Sequence, residues 1–379
     1  MRNLITLFRK WRLRDYTPLI EVFIHKNRLL ENLHTFQTAY PGVEFAPVLK
    51  SNAYGHGLCE VAGILDTENC SFLCVDSYFE AQTCRGKGIR APILVIGYTE
   101  PSNLKRAPLH NVSYAVISMD HLGDLERTLS FPTAFHIKLD TGMHRQGISP
   151  KEIPEALALL KKSKHIKIEG VFSHFADADT EGSAFTEWQI EVWNKSMRIL
   201  RSELTGVRYA HLAATTGSFY SKKIDANVIR LGLGLYGYDT SPERNMGLKP
   251  ILEMRTKITS TRPIQKGEAV GYNLTFKATK NMKIATIPTG YYEGLDRRLS
   301  NKGFVSIEER ACKILGRVSM NMASIDISEI PDEDLAKPVV VIHSNPKAKN
   351  SVLSMARLAN TNCHEILIHI PSHLRRIVV

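Results

Sequence analysis

A chain of 379 residues, 43% hydrophobic and 23% charged, is long enough for one large domain plus a smaller one and has the balance of an ordinary globular protein. Its longest apolar runs, Ile93–Ile96 and Val339–Ile342, fall far short of the roughly 18 residues of a membrane span, which excludes a helical membrane protein. The net charge of +11 admits nucleic acid, a membrane surface or small anions, but no finger, helix-turn-helix or aromatic-basic RNA motif accompanies it, so no nucleic-acid partner is expected.

Residues 1–17 form a basic extension. Arg2, Arg9, Lys10, Arg12 and Arg14 all precede the first acidic residue, Asp15, and without them the chain carries only +6. Leu4, Leu7, Phe8 and Trp11 recur at helical spacing, so a basic amphipathic helix lying on a membrane is an alternative to a solvated tail. Leu4–Phe8 is too short for the apolar core of about 7–15 residues in a signal peptide, and a cytoplasmic protein is expected. The scattered Cys59, Cys70, Cys74, Cys84, Cys312 and Cys363 do not read as a disulfide framework. Cys70 and Cys74 lack the further partners of a metal site, and no metal is expected.

From residue 45 onward, short aliphatic runs alternate with stretches of helical periodicity. The strand candidates are Phe45–Lys50, Phe72–Asp76, Ile93–Gly97, Ser113–Ser118, Ala134–Asp140, Ile168–His174, Tyr209–Ala213 and Val228–Gly232. Between them, segments such as Lys151–Ser163, with Ile153, Ala156, Leu157 and Leu160 in phase, can cover the outside of a sheet. Eight strands with covering helices predict an α/β fold, a (β/α)8 TIM-type barrel over residues 18–244, with an open doubly wound sheet as the competing arrangement. Beyond a polar linker at Asp239–Gly247 the texture changes to short segments near 253–261, 268–272, 283–287, 304–307, 312–315, 324–327 and 339–342, which predicts a mainly β C-terminal domain over 245–379.

A barrel builds its site at the carboxyl ends of its strands, and those ends carry Lys50, Asp140, His174, Thr215 and Arg230. A lysine ending a core strand is costly unless paired or chemically used, and covalent catalysis through its amine is one such use. The loop that follows, Ser51-Asn-Ala-Tyr-Gly-His-Gly57, sets a Tyr and a His among glycines, as a close-packed loop presenting polar groups would.

The run Val48-Leu-Lys-Ser-Asn-Ala-Tyr-Gly-His-Gly57 closely resembles the cofactor-lysine motif of the alanine racemase family, pyridoxal-phosphate enzymes built from a (β/α)8 barrel followed by a β domain. Further blocks agree in order: Lys138-Leu-Asp-Thr-Gly-Met-His-Arg-Gln-Gly147, Phe172–Asp179, Ile229–Gly237, Ala285–Tyr291 and Gly316–Met320, so the resemblance spans about residues 18–340. It implies pyridoxal 5'-phosphate as cofactor, an amino acid as substrate and interconversion of L- and D-alanine that supplies peptidoglycan. Lys50 would hold the cofactor aldehyde and act as one base; Tyr272, in Val270-Gly-Tyr-Asn-Leu-Thr-Phe276, would be the other, reaching it from a neighbouring subunit of a homodimer with shared active sites. Tyr54, Thr215, Gly232 and Leu233 would hold the phosphate, Arg230 the ring nitrogen with His174 beside it, and Arg145 with the Met320 backbone the substrate carboxylate.

An arginine at the ring nitrogen would leave that ring a weaker electron sink than a carboxylate would, favouring proton return over decarboxylation. A tyrosine base needs its phenolate favoured by cationic surroundings, for which His174, Arg230 and Arg145 are the candidates. In some relatives the lysine matching Lys138 is carbamylated; an ion pair with Asp140 is the alternative. The chain departs from the family pattern at Ala214-Thr215, where Asn-Ser is common, and at Glu293 and Asn321, where Asp is common at each; a phosphate-binding tyrosine near the carboxyl end has no clear match, with Ser372 nearby. Rival readings are a racemase of other or broader range, such as serine, a decarboxylase on the same scaffold, whose glycine triplet and Cys-Asp pair are missing, and a non-catalytic pyridoxal-phosphate homeostasis protein, which would lack the second domain.

Overall fold

The computed structural model describes residues 16–106, 108–239 and 246–379, so residues 1–15 of the basic extension and most of the expected linker lie outside the described residues. The chain divides into two units: Lys26–Ile251, and the residues up to His25 together with Leu252–Val379.

The first unit carries the eight parallel strands that the aliphatic runs predict: β2 (Glu44–Pro47), β3 (Leu73–Val75), β4 (Ile93–Val95), β5 (Val112–Val116), β6 (Thr133–Lys138), β7 (Ile166–Phe172), β8 (Tyr209–His211) and β9 (Val228–Leu231). Strands β3 to β8 pair in sequence, and β2 pairs with β9. The ring closes through the Val48–Cys74 bridge between β2 and β3, and through Asn227 N and Arg230 N donating to the carbonyls of Ala210 and Ala213 between β8 and β9. This closure decides for the barrel over an open sheet.

Helices cover the outside with one apolar stripe each. In α1 (Lys26–Ala39) Leu29, Asn32, Leu33 and Phe36 are buried at i, i+3, i+4 and i+7. The predicted helix after β6 is found as α5 (Ile153–Leu160), with Ile153, Ala156, Leu157 and Leu160 buried as the periodicity required. The long α6 (Ala184–Glu203) starts on a Ser183 side-chain cap to Thr186 N.

The second unit is one nine-stranded, mostly antiparallel sheet with a two-stranded ribbon. Strand β1 (Glu21–Ile24) belongs to it, although its residues fall in the range read as barrel. It pairs antiparallel with β10 (Leu252–Thr256) and parallel with the last strand, β19 (Arg375–Val378). The reason is visible in its burial: Val22 and Ile24 are buried while Glu21 and Phe23 are half-exposed, the alternation of a sheet covered on one face, whereas β3, β4 and β5 are buried at every residue. The same unit contains two helices, Val352–Ala359 and Cys363–Ile368, capped by Ser351 and Asn362, which the period-2 reading of this region passed over. Among the described residues no helix is long and apolar enough to cross a membrane. All six cysteines are free.

Candidate active site

Strand β2 stops at Pro47, and the chain passes through Leu49 and Lys50 into four successive residues with positive φ: Ser51 (56°), Asn52 (57°), Ala53 (52°) and Tyr54 (52°). A left-handed turn of non-glycine residues costs roughly 1–2 kcal/mol per residue, so it persists only where its surroundings over-determine it. They do here. Ala53 N donates to Leu49 O, Asn52 N to the Glu80 carboxylate, Leu58 N to Asn52 Oδ1, and His56 Nδ1 to Ala53 O at 2.8 Å. The His56 ring stacks on Tyr236 at 4.3 Å, and Tyr236 donates to Val48 O at 2.7 Å. The sequence pointed to a close-packed loop after Lys50; its left-handed path is held partly by contacts 28 and 188 residues apart in sequence, which no local propensity encodes.

That turn carries Tyr54 to the end of β9. A β-carbon on Gly232 would lie 3.2 Å from the Tyr54 hydroxyl and 3.7 Å from Thr215 Oγ1, so a glycine at 232 keeps this corner open. The Thr215 hydroxyl accepts from Gly232 N at 3.1 Å and Gly234 N at 3.3 Å, and Leu233 N takes no acceptor among the described residues. Burial pushes the Tyr54 phenol far up, which keeps it a protonated donor. Two hydroxyls and backbone N–H groups converging on a glycine corner make a donor set suited to a phosphate.

Arg230, on β9 and 4% exposed, is held by acceptors only. Its Nη1 donates to His211 Nδ1 and His211 O, both at 2.7 Å; its Nη2 donates to Ser173 O at 2.6 Å, Leu212 O at 3.1 Å and His174 Nδ1 at 3.2 Å. These partners use the four terminal hydrogens and leave Nε–H as the one donor outside the set. Burial pushes the guanidinium down to about 10, so it is a cation at neutral pH. No carboxylate contacts it among the described residues.

His174 corrects an expectation. Burial first, then Arg230, Arg145, Lys50 and Lys138, push it down to about 3, so it is a neutral imidazole and not part of a cationic surround. Because Arg230 can only donate, His174 Nδ1 must accept, and the ring proton sits on Nε2. The proposed Lys138–Asp140 ion pair is likewise absent among the described residues. Asp140 accepts from Gly142 N, His144 N and His144 Nδ1, each at 3.0 Å, while Lys138 Nζ donates to Gln146 Oε1 at 3.2 Å. Burial and the neighbouring Arg145, Arg230 and Lys50 push Lys138 down to about 8.

Lys50, Tyr54, His174, Thr215, Arg230, Gly232, Leu233 and Arg145 therefore all belong to the barrel unit, at the carboxyl ends of its strands. Tyr272 and Met320 belong to the β unit. There Gly271 and Gly316, both at positive φ, let the 270–274 and 316–322 segments touch, a β-carbon on Gly271 lying 3.5 Å from Arg317 N. Tyr291 N and Tyr292 N donate to Ser319 O and Met320 O, which adds a third loop to the cluster. Tyr272 is 67% exposed and Met320 56%. Asn321 and Glu293, the two departures from the family pattern, meet: Asn321 Nδ2 donates to Glu293 Oε1 at 2.6 Å, while Glu293 Oε2 accepts from Gly290 N. Asn–Glu thus makes a hydrogen bond where two carboxylates would compete as acceptors.

Sequence reasoning missed His136 and His211, both fully enclosed beneath Arg230. A signal was available, since His136, Lys138 and Asp140 alternate onto one face of a strand whose inward positions are normally aliphatic.

Comparison with known proteins agrees across both units. The alanine racemase N-terminal domain family matches residues 24–240 and the alanine racemase C-terminal domain family residues 251–378, which leaves no room for a barrel-only homeostasis protein. The chain is 34% identical to an alanine racemase of Syntrophobacter fumaroxidans over 86% of this chain and 88% of that one, and 31% identical to alanine racemase 2 of Bacillus subtilis over 95% of each. Among solved structures it is similar to the alanine racemase of Bacillus anthracis with bound L-Ala-P, with a TM-score of 0.87, 28% identity and 96% of each chain covered. With two family domains in order over nearly its whole length, the chain belongs to the alanine racemase family.

Proposed function

We propose that the chain interconverts L- and D-alanine with pyridoxal 5'-phosphate, using Lys50 and Tyr272 as the two bases. The observation that carries this reading is the company of Lys50: a phosphate-fitting corner of Tyr54, Thr215, Gly232 and Leu233 on the same strand ends as a buried, carboxylate-free Arg230. When bound, the cofactor ring supplies the electron sink that acidifies the α-proton. The residues divide the remaining work. Lys50 would hold the aldehyde carbon and take or return the α-proton on one face. Arg230 Nε–H would donate to the ring nitrogen, and its high proton affinity keeps that nitrogen unprotonated, which favours proton return over loss of carboxylate. The Tyr272 hydroxyl would exchange the proton on the other face. His174 Nε2–H would stabilise its phenolate as a neutral donor, with Arg230 and Arg145 supplying the positive field. Arg145 and the Met320 N–H, which takes no acceptor among the described residues, would hold the substrate carboxylate.

A homodimer is part of this reading. Tyr272, Leu274, Tyr291, Tyr292, Met320 and Met322 are all exposed on the β unit, an apolar loop cluster of the kind a partner covers. Lys138, an amine of lowered pKa among cations, is suited to add carbon dioxide: the ammonium loses one proton, the neutral amine forms the N–C bond and releases a second, and a positive charge becomes negative beside Arg145. The physiological role that fits is cytoplasmic supply of D-alanine for peptidoglycan.

The test is chiral chromatography after incubation of the purified protein with L-alanine, L-serine and longer L-amino acids, with and without added pyridoxal phosphate. Cofactor-dependent D-alanine at the highest rate supports the reading. A protein that stays colourless after reconstitution overturns it, and faster turnover of serine reassigns the substrate.

A further inference from the structure

Arg230 is one end of an unbroken hydrogen-bond chain that runs down the barrel interior to the amino-terminal ends of the strands. We propose that Glu169, at the other end, is a positioning residue that accepts the last proton of the chain and so, through two neutral imidazoles, holds the attitude of the Arg230 guanidinium.

The links are Arg230 Nη1 to His211 Nδ1 at 2.7 Å, His211 Nε2 to His136 Nδ1 at 2.8 Å, and His136 Nε2 to Glu169 Oε1 at 3.3 Å, with the Ser113 hydroxyl also donating to that carboxylate. The ends dictate the middle. Arginine only donates and an ionised carboxylate only accepts. His211 Nδ1 must therefore be bare and its proton on Nε2; His136 Nδ1 must then be bare and its proton on Nε2, facing Glu169. Burial pushes both imidazoles down, in keeping with two neutral rings, and the His136 and Ser113 hydrogen bonds hold the Glu169 carboxyl down, in keeping with an anion.

The barrel is shaped to make this chain. The β6–β7 register slips between Phe135 and His136, which face Ile168 and Gly170, so Glu169 is the bulged residue, and a bulge re-aims a side chain. Gly170 is required beside it, because a β-carbon there would collide with the His136 ring. Phe72 packs against both imidazoles at 5.3 and 5.4 Å, Phe172 stacks on His211 at 5.1 Å and Tyr209 on His136 at 5.6 Å, so rings shield the links from water. Glu169 itself opens, 37% exposed, into a cavity of about 500 Å³ lined also by Ser113, His136, Arg208 and Tyr209.

If the acceptor at 169 is lost, Arg230 still requires a bare His211 Nδ1, so the tautomers stay and the buried His136 Nε2–H faces no carboxylate. Moving the protons to relieve it would set a His211 Nδ1–H against an Arg230 N–H, donor to donor. The chain is then a link short, and the guanidinium loses support that fixes its attitude. The effect on cofactor binding rests on Arg230 serving the ring nitrogen; the proton pattern does not.

The experiment uses the full chain labelled with ¹⁵N-histidine, read by long-range ¹H–¹⁵N NMR without cofactor, and then pyridoxal phosphate titrated by absorbance. Wild type is expected to show His136 and His211 both protonated on Nε2. Glu169→Gln keeps an acceptor and should keep that pattern, with cofactor affinity within about twofold. Glu169→Leu should leave both tautomers in place, because Arg230 still fixes them, but move the His136 Nε2 proton upfield as its hydrogen bond is lost, and weaken cofactor binding about tenfold, the size of one buried hydrogen bond lost. Should Glu169→Leu fail to fold, His136→Phe removes the acceptor one link nearer and should move the His211 Nε2 proton in the same direction. An unmoved His136 Nε2 proton in Glu169→Leu, or equal losses of affinity in Glu169→Gln and Glu169→Leu, overturns the proposal. A wild type with the expected proton pattern that takes up no cofactor overturns the functional reading and leaves this one standing.

Discussion

The barrel unit and the β unit prepare their chemical groups in opposite ways. In the barrel, Arg230 has five acceptors around two nitrogens, His174 has its tautomer dictated, and the turn after Lys50 is held in a costly conformation by distant contacts. In the β unit, Tyr272 and Met320 sit on loops that are well formed but face outward, more than half exposed. A tyrosine in water has a pKa near 10 and is a poor base. The difference teaches that one chain contains a preorganised half and an outward-facing half, and on the proposed reading the second would acquire its chemistry from surroundings a partner supplies.

The largest effects should come from breaking the preorganised half. Lys50→Ala should abolish cofactor absorbance near the visible range and lower racemisation by at least about a thousandfold, measured by chiral chromatography. Tyr272→Phe should lower racemisation by about 10²- to 10⁴-fold while the cofactor spectrum and thermal stability stay as in wild type, because the residue is exposed and only one proton transfer is lost. Equal loss of spectrum in both variants would erase the distinction between the two halves.

Arg230→Met should cost about 3 kcal/mol of stability in chemical denaturation, since it strips donors from the buried carbonyls of Ser173, His211 and Leu212. The buried histidines add a pH signature. His136, His174 and His211 all have folded pKa values below the ordinary value near 6.5, so between that value and the lowered one the unfolded chain binds more protons. Stability should therefore be level from pH 7 to about 6.5 as far as these groups go and fall as pH drops toward 3. Lys138 works in the alkaline window with the same sign: its folded value of about 8 lies below the unfolded 10.5, so its charged form opposes folding below pH 8 and that opposition fades as pH rises through 8 to 10.5. Thermal melts of wild type and Lys138→Gln should converge toward pH 10.5, with the variant the more stable at pH 7.

The smallest effect should be at the loops. Asn321→Asp sets two carboxylates where Asn321 Nδ2 now donates to Glu293 at 2.6 Å, so the Met320 segment should loosen. A rise of about threefold in KM for alanine is expected, with kcat nearly unchanged.

Much of this was legible in the chain itself, for identifiable reasons. The eight barrel strands were visible because most are short apolar runs buried at nearly every residue, and Lys50, Thr215 and Arg230 stood out as polar residues at strand ends. Strand β1 fell inside the range read as barrel because no separate element was read before Phe45; only pairing with β10 and β19, more than 225 residues away, reveals its sheet. The charge state of His174 and the partners of Asp140 were not readable either, because they depend on which cations and amides the fold gathers around them. The His136–His211 pair was hidden by the assumption that barrel interiors are aliphatic.

The comparison between the two halves stands on Tyr272 completing the site of another chain. Lys50→Ala and Tyr272→Phe proteins, each nearly inactive alone, can be mixed, unfolded together and refolded, with racemisation of alanine as the readout. Random pairing gives half heterodimers, each with one intact site if the halves come from different chains, so about a quarter of wild-type activity should return. A mixture no more active than its parents would contradict the shared site.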